Sequence, residues 1–227
     1  MTQPPCRLTM TRWPAFLLMG AVLASVAGML FHPAARGPDA EAHLHGLVAL
    51  SPLAMHVHLT MIAAVIALWL ALARLAGQWP ERGGIWIGAR LYALGAAAML
   101  GAALISGFLI GGYLGRMQSV SARVEDVVPP LSLAFAANQT LAGFGTVLMS
   151  LAIGAWSLDM IRWRDRCALA CGVYGLAAGG GCVVAYGSRW LSLDVPGMTA
   201  VVVVHGLWYC LLGGCLLRQG NASASRA

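Results

Sequence analysis

Long apolar runs alternate with short polar breaks along this 227-residue chain. A bilayer core takes roughly 20 mostly apolar residues to cross as a helix. Six stretches reach that length, at about 14–32, 52–76, 87–114, 131–158, 167–188 and 197–217. None alternates apolar and polar positions as a half-buried strand does. Within lipid, an open strand would leave its backbone unpaired. The pattern predicts an all-α polytopic membrane bundle of six transmembrane helices, a single membrane domain over 1–227. The breaks carry start and stop residues. Ser51-Pro52 reads as an N-cap followed by Pro at the first helical position. Pro80 to Gly84 precedes the third run, Pro129-Pro130 the fourth, and Asp194-Val195-Pro196-Gly197 the sixth.

Composition agrees. The chain is 59% hydrophobic and 10% charged, against about 45–50% and 25% in ordinary soluble domains. That excludes a soluble globule, and also a disordered chain, which needs low hydrophobicity and high charge. The first run has an alternative reading as a signal peptide, with Arg7 and Arg12 before it and Ser25-Val26-Ala27 as a small-residue cleavage pattern. Cleavage there leaves the other five spans unchanged.

All 14 basic residues are Arg, scattered singly between apolar runs. No basic block or nucleic-acid motif is present, so the net charge of +6 speaks to orientation rather than to a nucleic-acid partner. With the N-terminus inside, the inner segments hold ten Arg and the outer loops four (Arg36, Arg116, Arg123 and Arg189). Cytoplasmic loops are enriched in positive charge, so both termini are expected inside. Trp13, Trp79, Trp86 and Trp163 fall near the inner boundary and Trp190 near the outer one, as interfacial anchors. Gly107, Gly111 and Gly115 form overlapping GxxxG steps, and Gly175 and Gly179 another. Such steps let helices approach closely, either within the chain or in a homo-oligomer or with another membrane protein. The six Cys include no CxxC. They read as small packing residues rather than a disulfide framework, with Cys167 and Cys171 on one helix face.

All six His fall on the outer side of this topology. His32 ends the first helix, His43 and His45 lie in the first outer loop, His56 and His58 open the second helix, and His205 lies on the sixth. At about 1.5 Å per residue, His58 and His205 lie roughly 10–12 Å below the outer ends of their helices. Asn138 and Gln139 reach the same height, and Ser106 and Cys182 come within about a turn of it. Polar groups inside a membrane are costly and mark candidate sites. His56 and His58 point about 200° apart, so only one of them faces the bundle.

Three readings follow for this layer. His56 or His58 with His205 binds a cofactor, either haem b between two axial imidazoles or copper or zinc, with His43 and His45 as further metal ligands; neutral imidazole suits each of these metals. Alternatively the layer lines a pocket for a small molecule or a proton path. Or its members only bond neighbouring helices. No HExxH, CxxCH or Walker motif occurs, no catalytic residue stands out, and no span holds a central carboxylate of the kind proton-coupled carriers use. Asp39, Glu41, Glu125 and Asp126 read as solvated loop acids. Asp159 with Arg162, and Asp165 with Arg166, read as surface pairs worth about 0–1 kcal/mol.

The second helix ending in Leu70-Ala71-Leu72-Ala73-Arg74, the stretch from Asn138-Gln139 to Trp156, and the closing Leu216-Leu217-Arg218 resemble a bacterial family of six-helix inner-membrane proteins of unknown function. The resemblance spans about Leu47 to Arg218. It implies the fold and a bacterial cytoplasmic membrane, and no activity. His56-Val57-His58-Leu59 resembles, over one helix, the haem-bearing helices of oxidase-type membrane subunits. The Gly-Trp that often follows there is replaced by Ile62-Ala63-Ala64. The expectation is thus a non-enzymatic membrane protein with an outer polar layer, with a haem or metal redox protein and a small-molecule permease as alternatives.

Overall fold

The computed structural model describes residues 12–35, 37–120, 123–163 and 165–224, without the side chains of 219–224. Cys6, Arg7, Arg36, Arg164 and Arg226 lie outside the described residues or side chains. Six helices are long and apolar enough to cross a membrane: α1 Trp13–Leu30, α2 Ala40–Ala76, α3 Gly83–Ser119, α4 Val124–Ile161, α5 Arg166–Gly187 and α6 Val195–Ala224. They run up and down. The connections 31–39, 120–123 and 188–194 gather at one end, here the His-rich end; 77–82 and 162–165 gather at the other, the Arg-rich end.

Seven of the eight acidic residues sit at helix N-termini, where exposed N–H groups and the helix dipole favour negative charge. Asp39 caps α2 through Ala42 N at 2.8 Å, and Glu41 lies in the same first turn. Glu125 and Asp126 occupy the first turn of α4, both held by Arg123. Asp165 caps α5 through Cys167 N and Ala168 N, and Asp194 accepts from Gly197 N on α6. Asp159 reaches across from the end of α4 to accept from Ile85 N at 2.9 Å in the first turn of α3. It is 4% exposed, with Arg162 at 3.5 Å on its open side. Asp159 therefore keeps its pairing with Arg162 but is a buried cap rather than a surface charge, and Asp165 is a cap.

Two helices start earlier than the sequence places them. α2 begins at Ala40 rather than 52, so Pro52 lies inside it, and His43 and His45 are helical rather than in a loop. α4 begins at Val124, with Pro129 and Pro130 inside it. Pro costs a helix one backbone bond, but packed membrane helices re-satisfy the freed groups, and the acid clusters fix the starts further upstream.

α4 is the most buried helix. It packs against α3 and α5, while α1 packs against α2 and α6. The glycine steps serve these contacts. Gly107 and Gly111 face His58 and Ser51 of α2, and Gly175 and Gly179 face Ser157 and Ser150 of α4. Trp79 is an interior residue, not an interfacial anchor. It is buried and meets the rings of Trp163 and Trp156 at 5.1 and 6.3 Å. Trp13, Trp86 and Trp190 are exposed. Cys167 and Cys215 form a disulfide joining the start of α5 to the end of α6. The reading of these two as packing residues is overturned, because antiparallel packing brings together positions 48 apart in sequence.

Candidate functional site

The sequence-predicted polar layer divides into two cavities and several separate residues. The first cavity, of about 90 Å³, lies toward the His-rich end between the residues after α1, the 47–58 stretch of α2, the 106–111 stretch of α3 and Phe135 of α4. His32, Ser51, His58 and Ser106 supply its polar lining. Residues Ile105–Leu109 of α3 form a π turn here, a wide turn often found beside functional sites. Gly107 follows Ser106 in that turn and lets the backbone approach His58; a Cβ at Gly107 would stand 2.5 Å from His58 Cβ and 2.9 Å from Cγ. Gly111, one turn on, lies against Ser51 in the same way.

The His32 and His58 rings meet edge to face, with centroids 5.1 Å apart and planes at 69°. His58 Nδ1 donates to the Ala54 carbonyl at 2.7 Å, and His32 Nδ1 donates to the Pro33 carbonyl at 3.1 Å. A carbonyl only accepts, so when neutral each imidazole carries its proton on Nδ1 and keeps a lone pair on Nε2. Burial pushes His32 below the ordinary imidazole pKa of 6.5, and neighbouring His58 adds to the shift; the bond to Pro33 opposes it.

The second cavity, of about 70 Å³, is lined by residues of α1, α2, α3, α4 and α6. His205 lines it and is 6% exposed. Its Nε2 lies 3.0 Å from Ser150 Oγ, and Ser150 donates its hydroxyl proton to the Thr146 carbonyl at 2.7 Å. Ser150 therefore accepts from His205 Nε2–H, which leaves Nδ1 with the lone pair. The Thr146 hydroxyl, also in the lining, has no hydrogen-bond partner.

The remaining candidates lie apart from both cavities. His56 is exposed and donates from Nδ1 to the Pro52 carbonyl. His45 faces Glu41 at 3.9 Å, both exposed. Gln139 donates to the Leu193 carbonyl at 3.3 Å, tying α4 to the loop before α6. Asn138 is half-buried, and Cys182 is a buried free thiol. Among the described residues, no three or more His, Cys, Asp or Glu side chains converge on one point.

A haem does not fit these residues. His58 and His205 open onto separate cavities, each far below the roughly 300–1,000 Å³ of cofactor pockets, and His56 faces away from both. Sequence reasoning flagged His58 and His205 but missed His32 as the ring beside His58. It also missed Ser51, Ser150, Thr146 and the methionines of the second cavity. Only the GxxxG step at Gly107 and Gly111 signalled the close approach of α3 to α2.

Six helices long and apolar enough to cross a bilayer make this a multi-pass helical membrane protein. No known protein family, curated protein or solved structure matches this chain.

Proposed function

We propose that this protein binds a borderline transition-metal ion, of which zinc is the simplest probe, at its His-rich end through Nε2 of His32 and His58. One observation carries the reading: two imidazoles, each held by a backbone carbonyl at Nδ1, meet at 5.1 Å. A tetrahedral ion with metal–nitrogen bonds of about 2.0–2.1 Å also holds two imidazole centroids about 5 Å apart, and one ring turns from the edge-to-face contact for both Nε2 atoms to face the ion. The donor set fits the ion, since neutral imidazole is a common ligand for zinc and copper. Ser51 and Ser106 hydroxyls or water complete the shell. Two protein ligands make an open and exchangeable site, suited to passing an ion on rather than to holding a structural one. The chain is then a metal-handling membrane protein and not an enzyme.

The same proposal places it in a bacterial cytoplasmic membrane, with both termini in the cytoplasm and the His-rich end outside. The balance of ten Arg against four supports this orientation. A second reading, a small-molecule permease, draws support from the cavity between α2, α4 and α6.

Zinc titration of the detergent-purified protein tests the metal reading. Wild type is expected to bind one ion, and His58→Ala to weaken it at least about tenfold, since even outer ligand partners cost 10–100-fold. Equal zinc binding by His32→Ala, His58→Ala and wild type overturns it. A reporter fused after Arg162 that reports the outside overturns the orientation.

A further inference from the structure

We infer that the second cavity is a copper(I) site formed by the thioethers of Met61, Met99 and Met149 with the imidazole of His205. It goes beyond the zinc reading above and rests on different residues. Four of the chain's eleven methionines line this one cavity, and they come from four different helices: α2, α3, α4 and α6.

Their placement is built into the backbone. A Cβ at Gly28 would stand 2.9 Å from Met61 Cγ, one at Gly95 2.8 Å from Met149 Cγ, and one at Gly145 2.7 Å from Met99 Cγ. Three of the four thioether chains therefore lie over glycines on facing helices, in space that any other residue would close. Met fills irregular gaps in many cores, and other side chains of this bundle also lie over glycines; what sets these apart is that methionines of different helices meet at one cavity beside a buried imidazole. The imidazole ligand is oriented as well. The Ser150 and Thr146 relay fixes His205 as the Nε2–H tautomer and leaves Nδ1 to donate.

Ligand softness and charge choose the ion. Thioethers select copper(I), and imidazole accepts it too. No Asp, Glu or Arg lines the cavity, so a divalent ion would carry two uncompensated charges in a low-dielectric interior, at steep cost. Copper(I) carries one. The ion enters already reduced, and binding involves no electron transfer.

The test is competition for copper(I), kept reduced with ascorbate under argon, between the detergent-purified full chain and a chromophoric copper(I) chelator. Wild type is expected to take up one equivalent. Met99→Leu/Met149→Leu conserves volume, a change cores tolerate, and is expected to weaken uptake at least tenfold. Met19→Leu/Met29→Leu, outside the cavity, retains it, as does His32→Ala/His58→Ala. Each variant is first checked for a monodisperse chromatographic profile. Should Met99→Leu/Met149→Leu not pass, Met61→Leu and Met149→Leu are measured singly, each expected to lose affinity. Absence of copper(I) uptake by wild type, or unchanged uptake in the cavity Met→Leu variants, overturns the site. Loss in His32→Ala/His58→Ala would assign the copper to the other cavity and overturn it equally.

Discussion

Replacing Gly107 by Ala separates the His58 pocket from the fold that carries it. The new methyl would stand 2.5 Å from His58 Cβ and 2.9 Å from Cγ. Ordinary carbon contacts lie at about 3.5–4.0 Å, so one partner moves by roughly 1 Å. Overpacking of this size costs about 1–3 kcal/mol, and exchanging Gly for Ala within a helix returns about 1 kcal/mol. The net loss of stability is about 0–2 kcal/mol by these two effects. The consequence for binding is larger. A metal ligand must sit within about 0.2 Å of its place, so a 1 Å displacement of the imidazole removes it from the ion. Zinc titration alongside thermal unfolding in the same detergent measures both effects, with an expected fall in affinity of tenfold or more. Gly112 is the matched control on the same helix, because a Cβ there meets nothing within 4 Å. Gly112→Ala should bind zinc as wild type does and unfold no earlier. If Gly107→Ala binds zinc within twofold of wild type, His58 is not held by this contact and the reasoning fails.

Other outcomes follow from the caps and the cysteines. Asp159→Ala should destabilise the protein by about 1–3 kcal/mol, since it removes a buried cap and a charge at the α3 N-terminus; Asp159→Asn, which keeps an acceptor for Ile85 N–H, should lose less. Identical unfolding of the two variants would show that the cap is not the cause. Cys215→Ser should lower stability in oxidised protein by at most about 4 kcal/mol, the chain-entropy limit for a loop of this length, and should leave the fully reduced protein nearly unchanged. The disulfide lies at the Arg-rich end, where the proposed orientation puts the reducing cytoplasm. Alkylation of intact cells before lysis should therefore find Cys167 and Cys215 as thiols, and a disulfide already present in the cell would contradict that orientation.

Six spans and the breaks between them were legible in the sequence because apolar length alone decides what crosses lipid. The starts of α2 and α4 were not. Pro52 and Pro129-Pro130 read as boundaries by their local chemistry, whereas Asp39 and the Glu125–Asp126 pair fix the starts a few turns upstream. Asp159 looked like a surface charge because it stands three residues from Arg162, which it does pair with; its buried partner, the Ile85 N–H, is 74 positions away. The candidate site was half legible. Rarity singled out His58 and His205, and helical periodicity turned His56 away. Equal depth suggested pairing His58 with His205, but depth says nothing of rotation about each helix axis. The pairing of His58 with His32 follows from how α1 meets α2 at Gly28 and Val57, and spacing along the chain does not record that contact. The methionines were invisible for another reason. In an apolar span Met reads as filler, and only their convergence on one cavity distinguishes them.

Zinc K-edge X-ray absorption on the loaded, detergent-purified protein tests the shared ion most directly, because it counts imidazoles. Two imidazole nitrogens at about 2.0–2.1 Å are predicted for wild type, with one in His32→Ala and one in His58→Ala. A shell of oxygen ligands alone, or the same imidazole count in all three proteins, would contradict the site.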